Sequence, residues 1–230
     1  MQIMKQLSIK GLFLPAIALC SLLLSGNAAH AALVTYSFTG SVSTVSGALL
    51  PPLPAISPLA AGSPLTGSFQ FDNAIGGVGG NYPGAVTNIS LNIGGYTSSF
   101  ALGANAVTIL QNTNLGGGLI GDRWGLVTAA MGLPTNGYTP LSFDLHLDRE
   151  NGGLFSNTNL QNPPSLSSLT STRWRLIFEN SDGNVVNVRG ALNSLTAVPL
   201  PAAVILFGAG LISLVGLGAG GLRNLRWPQA

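Results

Sequence analysis

Hydrophobic and polar residues alternate with a period of two in one segment after another. Val34, Tyr36, Phe38 and Val42 alternate with Thr35, Ser37, Thr39 and Ser41, and Phe69 and Phe71 alternate with Ser68, Gln70 and Asp72. Ile89, Leu91 and Ile93 follow the same rule, as do Trp124 and Leu126, then Phe143, Leu145 and Leu147, then Trp174, Leu176 and Phe178, and finally Val186 and Val188. Successive side chains of a strand point to opposite faces, so this period predicts strands with one buried face. Trp124 and Trp174 share their spacing with other large apolar residues and belong to that face. Gly- and Asn-rich turns at 75–84, 116–122 and 180–184 separate the strands, and no helical spacing competes with them. The expected fold is all-β, with eight to ten strands in an antiparallel β-sandwich or jelly roll.

Two stretches break the alternation. Residues 50–64 carry Pro51, Pro52, Pro54, Pro58 and Pro64, which exclude a central strand and predict an extended surface loop. Residues 151–172 are rich in Asn, Ser, Gly and Pro and exceed the ~12–15 residues of an ordinary connection, a length common in functional or disordered loops.

The two ends follow a different rule. Lys5 and Lys10 precede an apolar run over 11–24, which gives way to Ala28-Ala29-His30-Ala31-Ala32. A basic start, a short apolar core and small residues at Ala29 and Ala31 are the pattern of a secretory signal peptide cut after Ala31. The run is shorter than the ~20 residues that a membrane-spanning helix needs. Cys20, the one cysteine, lies within this segment, so the exported part carries no thiol and no disulfide. At the other end, residues 202–222 carry no charge and are followed by Arg223 and Arg226. As a helix this stretch reaches about 32 Å, enough to cross a hydrocarbon core. Arginines kept on the cytoplasmic side place everything upstream outside.

Val198-Pro199-Leu200-Pro201-Ala202 stands directly before this predicted helix. Its two prolines favour extended backbone, a form that a protease or transpeptidase can thread. The motif, the Gly-rich apolar stretch with Phe207-Gly208 near its start, and the Arg-bearing end together resemble a PEP-CTERM sorting signal of the V-P-L-P-A variant. The basic end departs from a compact Arg cluster, because Asn224-Leu225 separate Arg223 from Arg226 and Trp227 to Ala230 follow. The resemblance implies delivery through the export channel, transient anchoring in the inner membrane of a Gram-negative bacterium, and processing by an exosortase. It further implies a final place at the cell surface or in the extracellular matrix, with exopolysaccharide as a candidate partner. The resulting organisation is a signal peptide over 1–31, an exported domain over 32–197 and a sorting signal over 198–230. The last divides into the motif 198–202, the helix 202–222 and the basic end 223–230.

Composition sharpens the picture of the exported part. Only 7% of the chain is charged, against about 25% in ordinary soluble domains, so Ser, Thr and Asn must supply its polar surface. The formal net charge of +2 belongs to the ends. Between 32 and 201, five arginines face seven carboxylates, a net charge of −2, which removes the compositional argument for nucleic-acid binding.

The chemistry-bearing residues are few. Asp144, His146 and Asp148 alternate on one predicted strand face, where an imidazole and two carboxylates offer a metal or ligand face, or an acid–base pair of the kind a metal-dependent hydrolase uses. Leu145 and Leu147 supply the buried face, so a polar, solvated outer face accounts for the trio without any ligand. Glu179, Asp182 and Asn184 resemble a calcium loop in their oxygens but lack its spacing and closing Glu, and Asn-Ser-Asp-Gly-Asn reads as a hairpin turn. Tyr82, Tyr96 and Tyr138 sit in or beside turns and are candidates for stacking on sugar rings in a carbohydrate-binding module. No catalytic residue, bound metal or cofactor is expected, and the favoured role is that of a nonenzymatic structural protein of the surface or matrix.

Overall fold

The computed structural model describes residues 33–50 and 58–199. Nine strands account for most of them: β1 (Leu33–Val45), β2 (Pro64–Asp72), β3 (Asn81–Pro83), β4 (Val86–Ile93), β5 (Tyr96–Gly116), β6 (Leu119–Gly132), β7 (Thr139–Glu150), β8 (Ser171–Glu179) and β9 (Val185–Val198). All pairings are antiparallel, and the order β5-β4-β2-β1-β9-β8-β7-β6 returns to β5 through a further β5–β6 pairing. The chain therefore winds up and down into a closed eight-stranded barrel, with the short β3 added to the edge of β5.

The all-β, antiparallel expectation is met, but the two-sheet sandwich or jelly roll is replaced by a single closed ring. Alternation marks which residues face inward, and it does so identically in a sandwich and in a barrel. The deciding contact is the pairing of β1 with β9, from Thr35 opposite Val198 to Val45 opposite Val188. It joins the two ends of the domain and abolishes both open edges.

An eight-stranded barrel leaves just enough interior for side chains to fill. Trp124, Trp174, Phe38, Phe69, Phe71, Phe143 and Phe178 fill it, all fully buried. Their rings meet at centroid distances of 5.8 Å for Phe69–Trp124 and 6.1 Å for Phe38–Phe143. Rings this large need small partners across the strands. A Cβ on Gly67 would strike the Phe38 ring, and one on Gly190 would strike the Trp174 indole and the Ser41 carbonyl. Each large side chain buried in this way contributes about 1.5–3 kcal/mol of transfer free energy. The predicted core is thus observed, including both tryptophans.

Antiparallel register sorts the connections between the two barrel ends. The 180–184 turn and Gly94-Gly95 lie at one end, while the 151–170 connection, the β5–β6 hairpin tip and the domain's first and last residues lie at the other. The 151–170 segment, which contains a short 3-10 helix at Leu166–Ser168, is ordered by the barrel wall. Buried Asp122 accepts hydrogen bonds from the amides of Leu154 (2.8 Å), Phe155 (3.3 Å) and Asn112 (3.0 Å). The indole of Trp124 donates to the Gln161 carbonyl and the Gln111 amide to that of Phe155. Phe155 is itself buried in the core. Of the predicted proline loop, residues 51–57 lie outside the described residues, and Pro64 opens β2.

Candidate functional site

Among the residues of the predicted sorting motif, Val198 closes β9 opposite Thr35, and Pro199 follows it outside any strand. Leu200, Pro201, Ala202, Arg223 and Arg226, and Ala29 and Ala31 of the predicted cleavage site, lie outside the described residues. No helix among the described residues is long and apolar enough to cross a membrane.

The three tyrosines do not form an exposed platform. Tyr82 and Tyr96 are only 7% and 8% exposed, and their hydroxyls donate to the carbonyls of Thr158 and Leu133, each at 2.7 Å. Burial pushes the Tyr96 hydroxyl up to about 12. Tyr138 packs half-buried against the core. Their places beside turns hid the fact that the rings face inward. The 179–184 segment is the hairpin turn between β8 and β9: the Asn180 side-chain oxygen accepts from the amides of Asp182 and Asn184, and Gly183 takes φ +77°.

The β7 trio is where the structure departs most from a simple polar strand. Asp144, His146 and Asp148 do share the outer face, but Asp144 and Asp148 are only 4% and 6% exposed. Cross-strand register covers them with arginines. Arg123 of β6 stands opposite Asp148, while Arg173 and Arg175 of β8 stand opposite His146 and Asp144. Arg123 grips Asp148 in a two-pronged pair, Nε to Oδ1 at 2.7 Å and Nη2 to Oδ2 at 2.8 Å, and also donates to the Leu115 carbonyl. Arg175 grips Asp144 through Nε, at 3.0 and 2.9 Å to its two oxygens, and through Nη2 to Oδ2. Such forked pairs are the strong form of the charge-assisted hydrogen bond.

Arg173 places Nη2 2.6 Å from Nδ1 of His146. Guanidinium can only donate, so Nδ1 accepts and the imidazole is neutral with its proton on Nε2. Burial, reinforced by the Arg123 charge, pushes His146 down to about 4, which keeps it in this accepting form. The carboxylates are thus occupied by arginine and the imidazole by a donor. Among the described residues, no group of three His, Cys, Asp or Glu side chains is disposed to hold a metal ion.

Comparison with known proteins finds no match among family models, curated proteins or solved structures. The functional residues that the alternation of apolar and polar positions leaves unmarked are the arginines. All five among the described residues fall on the four adjacent strands β6 to β9, and Arg123, Arg173 and Arg175 lie on the two strands that flank β7. Arg173 and Arg175 flank Trp174 with the same period of two as the β7 trio, and a β7–β8 hairpin register would have set the two rows against each other.

Proposed function

We propose that this chain is an exported, nonenzymatic protein of the Gram-negative cell surface or extracellular matrix, delivered by an N-terminal signal peptide and sorted through its PEP-CTERM-like tail. The observation that carries this reading is where the predicted processing sites fall relative to the barrel. Cleavage after Ala31 lies just ahead of β1, which begins at Leu33, and the Val198-Pro199-Leu200-Pro201-Ala202 motif overlaps β9 only at Val198, its first residue and the strand's last. Loss of residues 1–31 touches no strand pairing among the described residues, and loss of 198–230 costs only the pairing of Val198 with Thr35. Because β1 and β9 are antiparallel neighbours, both ends leave the same end of the barrel side by side. A barrel tethered through its last strand then presents its opposite end, with the 180–184 turn and Gly94-Gly95, away from the membrane.

In this reading the apolar stretch 202–222 halts transfer, Arg223 and Arg226 stay inside, and the extended prolines are offered to an exosortase. The test is the intact mass and location of the protein in cells with and without the processing enzyme. Replacing Pro199 and Pro201 together by Ala is expected to make a full-length, membrane-bound form accumulate. Processing at the original rate in that variant would remove the motif from the mechanism.

A further inference from the structure

A depression of about 410 Å³ lies on the outer wall where β1, β9 and β8 meet, beside the charged face of β7. Its lining includes Ser43, Thr44, Ser171, Thr172, Arg173 and Arg189. A β-bulge between Val42 and Thr44 shifts the register of β1 against β9 at this point, and bulges of this kind turn side chains out of the regular ladder. The volume falls within the range of small-molecule sites.

The charges here are unbalanced in one direction. Asp148 also borders the depression, but Arg123 occupies both of its oxygens. Arg173 and Arg189 form no ion pair among the described residues. Arg189 is exposed, and Arg173 spends Nη2 on a neutral imidazole. The Nε of Arg173 is buried without an acceptor among the described residues, a state that costs free energy in the folded protein. Burial and the like charge of Arg175 both press Arg173 below its ordinary value, so a nearby anion relieves it. General electrostatics cannot explain the patch, because the domain as a whole carries net negative charge.

Guanidinium forks match the planar geometry of a carboxylate, and hydroxyl side chains around them match a polyol. We propose that this depression binds a carboxylated saccharide, its carboxylate on Arg173 and Arg189 and its hydroxyls on Ser43, Thr44 and Ser171. The site opens along the barrel wall, so both a free sugar acid and one unit of an acidic polysaccharide meet its chemistry. The proposal does not depend on how the chain is delivered.

The experiment is equilibrium binding to the full chain in detergent, using D-galacturonate, oligogalacturonate, D-galactose and sodium sulfate as probes. Both uronates are expected to bind, and galactose is not. Full displacement of the oligomer by monomeric galacturonate assigns a single sugar acid as the recognised unit. Resistance to displacement assigns the polymer, and either result upholds the site. Arg189→Gln is expected to weaken uronate binding about tenfold, the scale of one charge-assisted hydrogen bond. Arg149→Gln, which removes the same charge outside the depression, is expected to leave binding unchanged. Unfolding midpoints of both variants check that the barrel is intact. Failure of both uronates to bind, equal binding of galactose, preference for sulfate, or equal losses in the two variants would overturn the proposal.

Discussion

His146 is the residue at which the charged face becomes measurable. It is neutral in the folded protein, where burial and the Arg123 and Arg173 charges outweigh the opposing pull of Asp144 and Asp148 and hold it near 4. In the unfolded chain a histidine titrates near 6.5. Between these values the unfolded chain binds the extra proton, so stability rises with pH from about 4 to about 6.5 and, for this group, is flat above. With the partly exposed ring discounted for screening, the effect is about 2 kcal/mol. Urea unfolding midpoints at pH 4.5 and pH 7 should differ for the native sequence and converge in His146→Gln. An undiminished difference in that variant would assign the pH dependence to other groups. The shared outer face of Asp144, His146 and Asp148 was legible from their spacing alone. Their burial was not, because it depends on arginines 25 to 31 positions away, brought alongside by strand register.

Among the elements, the 151–170 connection shows how a segment without strand or helical period acquires a fixed place. Its length and composition predicted a loop of the functional or disordered kind, without a fixed place. The ordering comes from the wall beneath it, above all from Asp122, whose carboxylate stands at the barrel end and collects three amides. Asp122→Ala leaves those donors without their acceptor, at a cost of at least about 2 kcal/mol. The expected result is faster proteolytic cleavage within 151–165 than in the native chain, together with a lower unfolding midpoint. Cleavage at the native rate would show that Trp124 and Gln111 suffice to hold the segment. Strands, turns and core stripes were readable because each is specified within a few residues. The Asp122 anchor joins positions 32 and 33 residues apart and carries no local signature.

For the molecule as a whole, the closed barrel predicts independence from both chain ends. Residues 32–198 alone should unfold in one cooperative transition, with the same denaturant midpoint as the full chain in detergent. A lower midpoint would make one of the ends part of the folded unit. The difference between a sandwich and a barrel was beyond the reach of alternation, since closure depends on one pairing between the first strand and the last. That seam has a mechanical meaning as well. Its two strands run antiparallel with their free ends together, so a force drawing those ends apart loads the seam pair by pair from Thr35 and Val198 inward, as in opening a zipper. A pull through the last strand alone, against resistance spread over the barrel wall, does not act across the two free ends in this way. The barrel is therefore better suited to hang from one end than to serve as a link under tension between two.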